Sequence, residues 1–307
     1  MPSRAEIRDH VATETERRTR LAVPAFAGGV LYLLSSILIS QTLNDAPTVG
    51  LVQGLKPALS GVANPAVSPR TEEVRFISHH SFGLVAGSAL GAIAIGALTL
   101  VLLVLVDATR FRRPQMWPGA RRLVLFAGIA VALVSIGHQA VSSIETHNFA
   151  SGHNFTTEAV NNALTKGSAN EIVDYVDLLS GLGLAAGMVM TMLNALRVGL
   201  LPRWMSILGM VTGLLIFLPI GGAELQVIVS FWMVMMGILY IGKWPGGEPP
   251  AWAAGEARPW PPSARAAARM RQPAAAAAGA ESSVVPAPAR PAAGSGRKRR
   301  KRGGRGA

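Results

Sequence analysis

Apolar runs recur along this chain, separated by shorter stretches that carry its charges, prolines and turn residues. Six of them, near residues 21–40, 82–106, 123–144, 175–196, 204–220 and 225–242, are candidate spans. Crossing a hydrocarbon core of about 30 Å takes about 20 apolar residues in a helix. The central portions of these runs hold no Lys, Arg, Asp or Glu, so each can satisfy its backbone internally and turn apolar side chains to lipid or to another helix. The pattern predicts an all-α fold: a polytopic membrane bundle of six transmembrane helices, short outer-loop helices and a disordered C-terminal tail.

Glycine spacing adds a packing prediction. Gly83, Gly87 and Gly91 recur every fourth position on the second span, Gly183 and Gly187 on the fourth, and Gly209 and Gly213 on the fifth. Such stripes let helix backbones approach closely, within the chain or against a membrane partner or second copy.

Between spans, turn chemistry marks smaller elements. Asn44-Asp45-Ala46-Pro47 caps a short apolar segment ending near Gly61, and Ser68-Pro69 caps a helix predicted to run through Arg75, His79 and His80 into the second span. The second outer loop repeats His147-Asn148-Phe149 as His153-Asn154-Phe155; Thr156 or Thr157 then caps a helix to Lys166, and Ser168 with Glu171 forms a capping box for the fourth span. Neither outer loop is long enough to form an independent domain. Asn154-Phe155-Thr156 matches a glycosylation acceptor only as a three-residue pattern.

The charge distribution sets orientation. Arg4, Arg8, Arg17, Arg18 and Arg20 precede the first span, five arginines fill the 108–122 loop, and Arg197 and Arg203 flank the turn after the fourth span. The alternate loops are poorer in cations. The positive-inside bias then places both termini in the cytoplasm of a cell membrane, inner or plasma, with the first span a retained anchor rather than a cleaved signal. The expected organisation is a cytoplasmic segment (1–20), a membrane domain (21–244) with outer loops at 41–81 and 145–174, and a Pro/Ala-rich basic tail (245–307). The formal charge of +12 is concentrated in that tail. Its end, Arg297, Lys298, Arg299, Arg300, Lys301 and Arg302, suits anionic lipid headgroups. No aromatic residue interleaves with the run to stack bases, which argues against specific nucleic-acid recognition.

Candidate chemistry gathers on the expected outer side. The absence of cysteine removes disulfides, thiolate metal sites and thiol nucleophiles. His138, Ser142 and Glu145 share one helix face at i, i+4 and i+7. If that face turns inward, Asp177, His80 and Glu224 come near it, giving an outer-face site for a partner or small ligand. His138, Glu145 and Asp177 would suit a divalent metal, and paired imidazoles a haem. The plainer alternative is a structural polar network around His138. A third reading, a pore for a small neutral solute, draws on Thr191, Asn194, Thr212 and Ser230. Charge-free mid-membrane segments disfavour ion-coupled transport. There is no Gly-x-Ser-x-Gly nucleophile elbow and no phosphate loop.

The stretch Arg197-Val-Gly-Leu-Leu-Pro-Arg-Trp-Met-Ser-Ile-Leu-Gly209, with Trp232 and Gly237 in the last span, resembles the DUF4386-like family of bacterial multi-helix membrane proteins across spans four to six. The resemblance implies an inner-membrane bundle of six or seven helices and carries over no functional residue. Independently of it, Pro202 fits a helix start, Arg203 a phosphate anchor and Trp204 the headgroup level.

Overall fold

The computed structural model describes residues 3–47, 49–50, 52–53, 59–61, 67–152, 154–166, 168–218, 223–245 and 247–260. Among these, every regular element is helical. In chain order they are α1 (Arg4–Asn44), α2 (Thr71–His79), α3 (Ser81–Arg112), α4 (Ala120–Ser151) and α5 (Thr157–Asn161), which continues as a π turn over Asn162–Lys166. Then come α6 (Ser168–Val198), α7 (Arg203–Phe217), α8 (Ala223–Tyr240) and the short α9 (Pro250–Ala254). α1, α3, α4 and α6 are long and apolar enough to cross a membrane, whereas α7 and the 226–240 part of α8 are apolar but shorter. Their length and composition mark the chain as a helical membrane protein.

α1 runs unbroken from the charged N-terminal segment through the first apolar run. A capping box starts it, with Ser3 Oγ accepting from Glu6 N–H and Glu6 Oε2 accepting from Ser3 N–H. At 41 residues it is about 60 Å long, far more than one hydrocarbon crossing. The charged residues 4–20 therefore extend the same rod beyond the apolar part. α2 is not continuous with α3. The chain breaks at His80 (φ −103°, ψ 12°), and α2 packs mainly on α4. The segment expected between Asn44 and Gly61, and the capping side chain of Ser168, lie largely outside the described residues.

The long helices form a ring. α1 packs between α8 and α3, α3 on α4, α4 on α6, α6 on α7, and a lighter α7–α8 contact closes it, while α3 also touches α6. The three glycine stripes are taken up inside this chain. A Cβ at Gly87 would run into Ile39 of α1, one at Gly187 would lie 2.8 Å from Val124 of α4, and one at Gly213 would lie 3.1 Å from Met188 of α6. Ser35 adds a hydrogen bond to the Gly87 carbonyl across the α1–α3 seam (2.7 Å). The core that results is built on Leu98, Leu102 and Leu105 of α3, Leu184, Met188 and Met192 of α6, and Trp232, Met233 and Tyr240 of α8. Trp232 and Tyr240 are fully buried because each polar tip finds a carbonyl, Met205 O at 3.2 Å and Val101 O at 2.8 Å.

The folded unit does not end at Trp244. It continues to Trp260, which corrects the tail boundary expected at 245. Residues 247–260 fold back across the end of the bundle, burying Ala251 and Trp252. Trp252 Nε1 donates to Leu200 O (2.9 Å) and Arg258 N–H to Val198 O (2.9 Å). Residues 261–307, including the basic run 297–302, lie outside the described set.

Candidate functional site

The segment before α3 and the one between α4 and α6 are knitted together at one end of the bundle. Val74 of α2, Phe149 at the end of α4, and Val160 and Ala163 around α5 form a small apolar cluster of their own, with Phe155, Ala159 and Leu164 against it. Phe149 and Phe155, the two aromatics of the repeated His-Asn-Phe motif, meet edge to face at 5.7 Å. Arg75 of α2 lies over the Phe155 ring at 4.9 Å, and Ser68 N–H donates to Phe155 O (2.8 Å). Thr156 caps α5 by accepting from Ala159 N–H. α2 is stiffened by a two-bond pair from Arg70 to Glu73 (2.8 and 3.0 Å). That pair raises the guanidinium pKa above its ordinary value, the hydrogen bond to Glu73 acting against the opposing effect of burial.

Beside this cluster, and sharing Phe149, Ala159 and Ala163 with it, opens a shallow cavity of about 400 Å³ lined also by Glu145, Asn148, Gly152, Asn154 and Asn162. Each copy of the motif contributes its asparagine to the wall; Phe149 of the first copy lines it too, while Phe155 of the second packs in the neighbouring apolar cluster. Asn154 is partly fixed, its Oδ1 accepting from Thr156 N–H (3.2 Å). The π turn brings Asn162 to the same wall. The lining therefore offers one carboxylate and three carboxamides, with both donors and acceptors, on an apolar base.

The structure divides the residues that the sequence grouped. Glu145 lines the cavity, but His138 does not. The His138 ring instead approaches Asp174 at the head of α6, Nδ1 to Oδ1 3.4 Å, with both side chains half exposed. Asp177 lies one turn further along α6 and is also exposed. Ser142 gives its carbonyl to Thr146 Oγ1 (2.8 Å). His80 caps its own helix, its ring contacting Phe76 O (2.9 Å) and stacking on the Phe76 ring. The Glu224 side chain lies outside the described residues. Among the described residues no three His, Cys, Asp or Glu side chains stand where they could hold a metal ion, so His138, Glu145 and Asp177 are not assembled as a ligand set. Spacing places His138, Ser142 and Glu145 along one side of α4, but where that side points depends on how α4 rotates against α6, which spacing alone does not fix.

A second polar assembly, at the opposite end, was not anticipated. Arg112 at the end of α3 pairs with Glu14 of α1 through two bonds of 2.8 Å, both side chains buried. It also donates to Ala108 O, Ala251 O and Trp252 O. Arg18 stacks on Trp252 and pairs with Glu248. Nearby, a cavity of about 490 Å³ opens between the start of α1 and the end of α3, lined by Glu6, Asp9, His10, Arg17 and Asp107 among others. Nothing in the sequence marks this pair: Arg112 is one of five arginines in the 108–122 loop, and Glu14 one of several acids before the first apolar run.

An all-helical membrane protein with a polar cavity at one end and a buried ion pair under a strap at the other is the class these observations define. No family model matches the chain, and no curated protein or solved structure matches it.

Proposed function

We propose that this is a six-crossing cell-membrane protein, both termini cytoplasmic, that binds a small polar solute at its outer face and performs no chemistry on it. The observation that carries the reading is the outer cavity with Asn148, Asn154, Asn162 and Glu145 in its wall. Carboxamides beside a carboxylate suit a hydroxyl- or amine-bearing molecule, and the apolar floor suits its carbon skeleton. α7 and α8 complete the six crossings as the shorter members, and the arginines of 4–20, 108–122 and 197–203 support the orientation. The basic run Arg297 to Arg302 adds contact with anionic headgroups, and the stretch 197–209 keeps the DUF4386-like resemblance as part of the proposal. Because the glycine stripes are used within the chain, self-association would need other faces. The pore reading is less favoured: Thr191 and Thr212 are buried and bond back to Gly187 O and Leu208 O of their own helices.

The test is thermal unfolding of the purified protein in lipid nanodiscs against a panel of polyols, sugars and small amines. A solute that raises the midpoint should lose that effect in Asn148→Ala and Asn162→Ala while the unliganded midpoints stay put. No stabilising solute, or one whose effect survives both substitutions, overturns the reading.

A further inference from the structure

Two guanidinium groups rest against the Trp252 indole, Arg18 at 4.9 Å and Arg112 at 5.4 Å from the ring centroid. They are satisfied very differently. Arg112 uses Nε, Nη1 and Nη2 on Glu14 and three carbonyls. Arg18 is 5% exposed, and its Nη2 pairs with Glu248. Its Nε and Nη1 are buried without a hydrogen-bond partner. A buried cation with idle donors is costly unless something anionic completes it. Glu248, whose side chain is one-third exposed, reaches Arg18 from the strap rather than from the bundle.

We propose that residues 247–258 form a displaceable strap over an anion site whose floor is Arg18, and that its ligand is a phosphate-bearing anion taking the place of the Glu248 carboxylate. The free donors, Nε and Nη1, flank the nitrogen that Glu248 already holds. A carboxylate oxygen from the strap serves Nη2 alone, whereas two oxygens of a phosphate can bridge Nη2 and one of the free donors along an edge of the planar fork. The strap is hinged for departure. Gly242 (φ +73°) and Gly247 (φ +94°) sit on its approach in left-handed backbone, and a Cβ at Gly247 would meet nothing within 4 Å. Arg18 loses its only described carboxylate when Glu248 leaves, so an anion that takes the Glu248 position removes one of the contacts that hold the strap, beside those of Arg112, Trp252 and Arg258. Trp204 and Trp244 stack at 5.6 Å at this end of the bundle, as aromatic residues do at headgroup level. A lipid phosphate and a soluble phosphate ester both present the required chemistry there.

The experiment follows amide hydrogen exchange across residues 249–258 in the full chain in nanodiscs. The discs hold phosphatidylcholine alone, phosphatidylcholine with phosphatidic acid, or phosphatidylcholine with added inorganic phosphate. Exchange accelerates about tenfold when the anion lifts the strap. Acceleration with phosphatidic acid only identifies a lipid source, and acceleration with inorganic phosphate a soluble one. Glu248→Gln reaches the same response at lower anion concentration. Arg18→Lys, which keeps the charge and loses the fork, abolishes it. Unchanged exchange with both anions in the wild type and in Glu248→Gln overturns the proposal. So does a response that persists in Arg18→Lys, or one that disappears when Arg297 to Arg302 are all changed to Gln.

Discussion

Arg112 and Glu14, ninety-eight positions apart in the chain, face each other as a two-bond pair of 2.8 Å contacts, the guanidinium fully enclosed. The pair ties the charged part of α1 to the end of α3, and the strap carbonyls Ala251 O and Trp252 O complete the guanidinium from a third direction. Because Arg112 spends its donors on three separate segments, removing one partner leaves a buried charge rather than a solvated one. Glu14→Ala should therefore lower unfolding stability by about 3–5 kcal/mol. Changing both residues to Leu should recover most of that loss. Chemical denaturation in mild detergent reads both variants, and a Glu14→Ala protein as stable as wild type would contradict the role given to the pair.

The strap supplies the second prediction. Trp252 is 2% exposed and holds Leu200 O, so Trp252→Ala should cost about 3–5 kcal/mol. A chain ended after Trp244 should lose at least as much, whereas one ended after Trp260 should unfold at the wild-type midpoint. Calorimetry or denaturation of the two truncated forms separates the cases. Equal midpoints for both would mean that the strap adds nothing to the fold.

The third concerns a tight approach between α3 and α4. A Cβ at Gly128 would stand 2.9 Å from the Thr99 Cβ, and Thr99 is held by its own bond to Ile95 O (2.8 Å). Gly128→Val should force the helices apart at a cost of about 1–3 kcal/mol, or more if they cannot shift. Gly137→Val, where a Cβ meets nothing within 4 Å, should be near neutral. The thermal midpoints of the two variants should differ accordingly, and equal losses would contradict the seam.

Much of the architecture follows from composition alone, because a helix that buries no charge over about 20 residues has few other places to be. The long apolar helices and the Thr156 cap are legible that way, and the glycine stripes announce close packing without naming the partner helix. Orientation about a helix axis is what remains hidden. His138, Ser142 and Glu145 share a face of α4, yet that face splits between the Asp174 contact and the cavity. The sequence points to His138 and His80, while the cavity is built from the asparagines of the repeated motif and Phe149. Glu14 and Arg112 could not be paired because every pairing of α1 and α3 charges is equally allowed until the register of the two helices is set. That register comes from contacts such as Ser35 with Gly87, where small side chains mesh.

The absence of cysteine makes the central claim, a bundle with its polar cavity outside and its strap inside, directly measurable. Single substitutions Asn154→Cys and Glu256→Cys are introduced separately, and intact cells are treated with a membrane-impermeant maleimide before and after lysis. The account predicts that the cysteine at position 154 reacts in intact cells and that the one at 256 reacts only after lysis. Reaction of both from the same face of the membrane would contradict it.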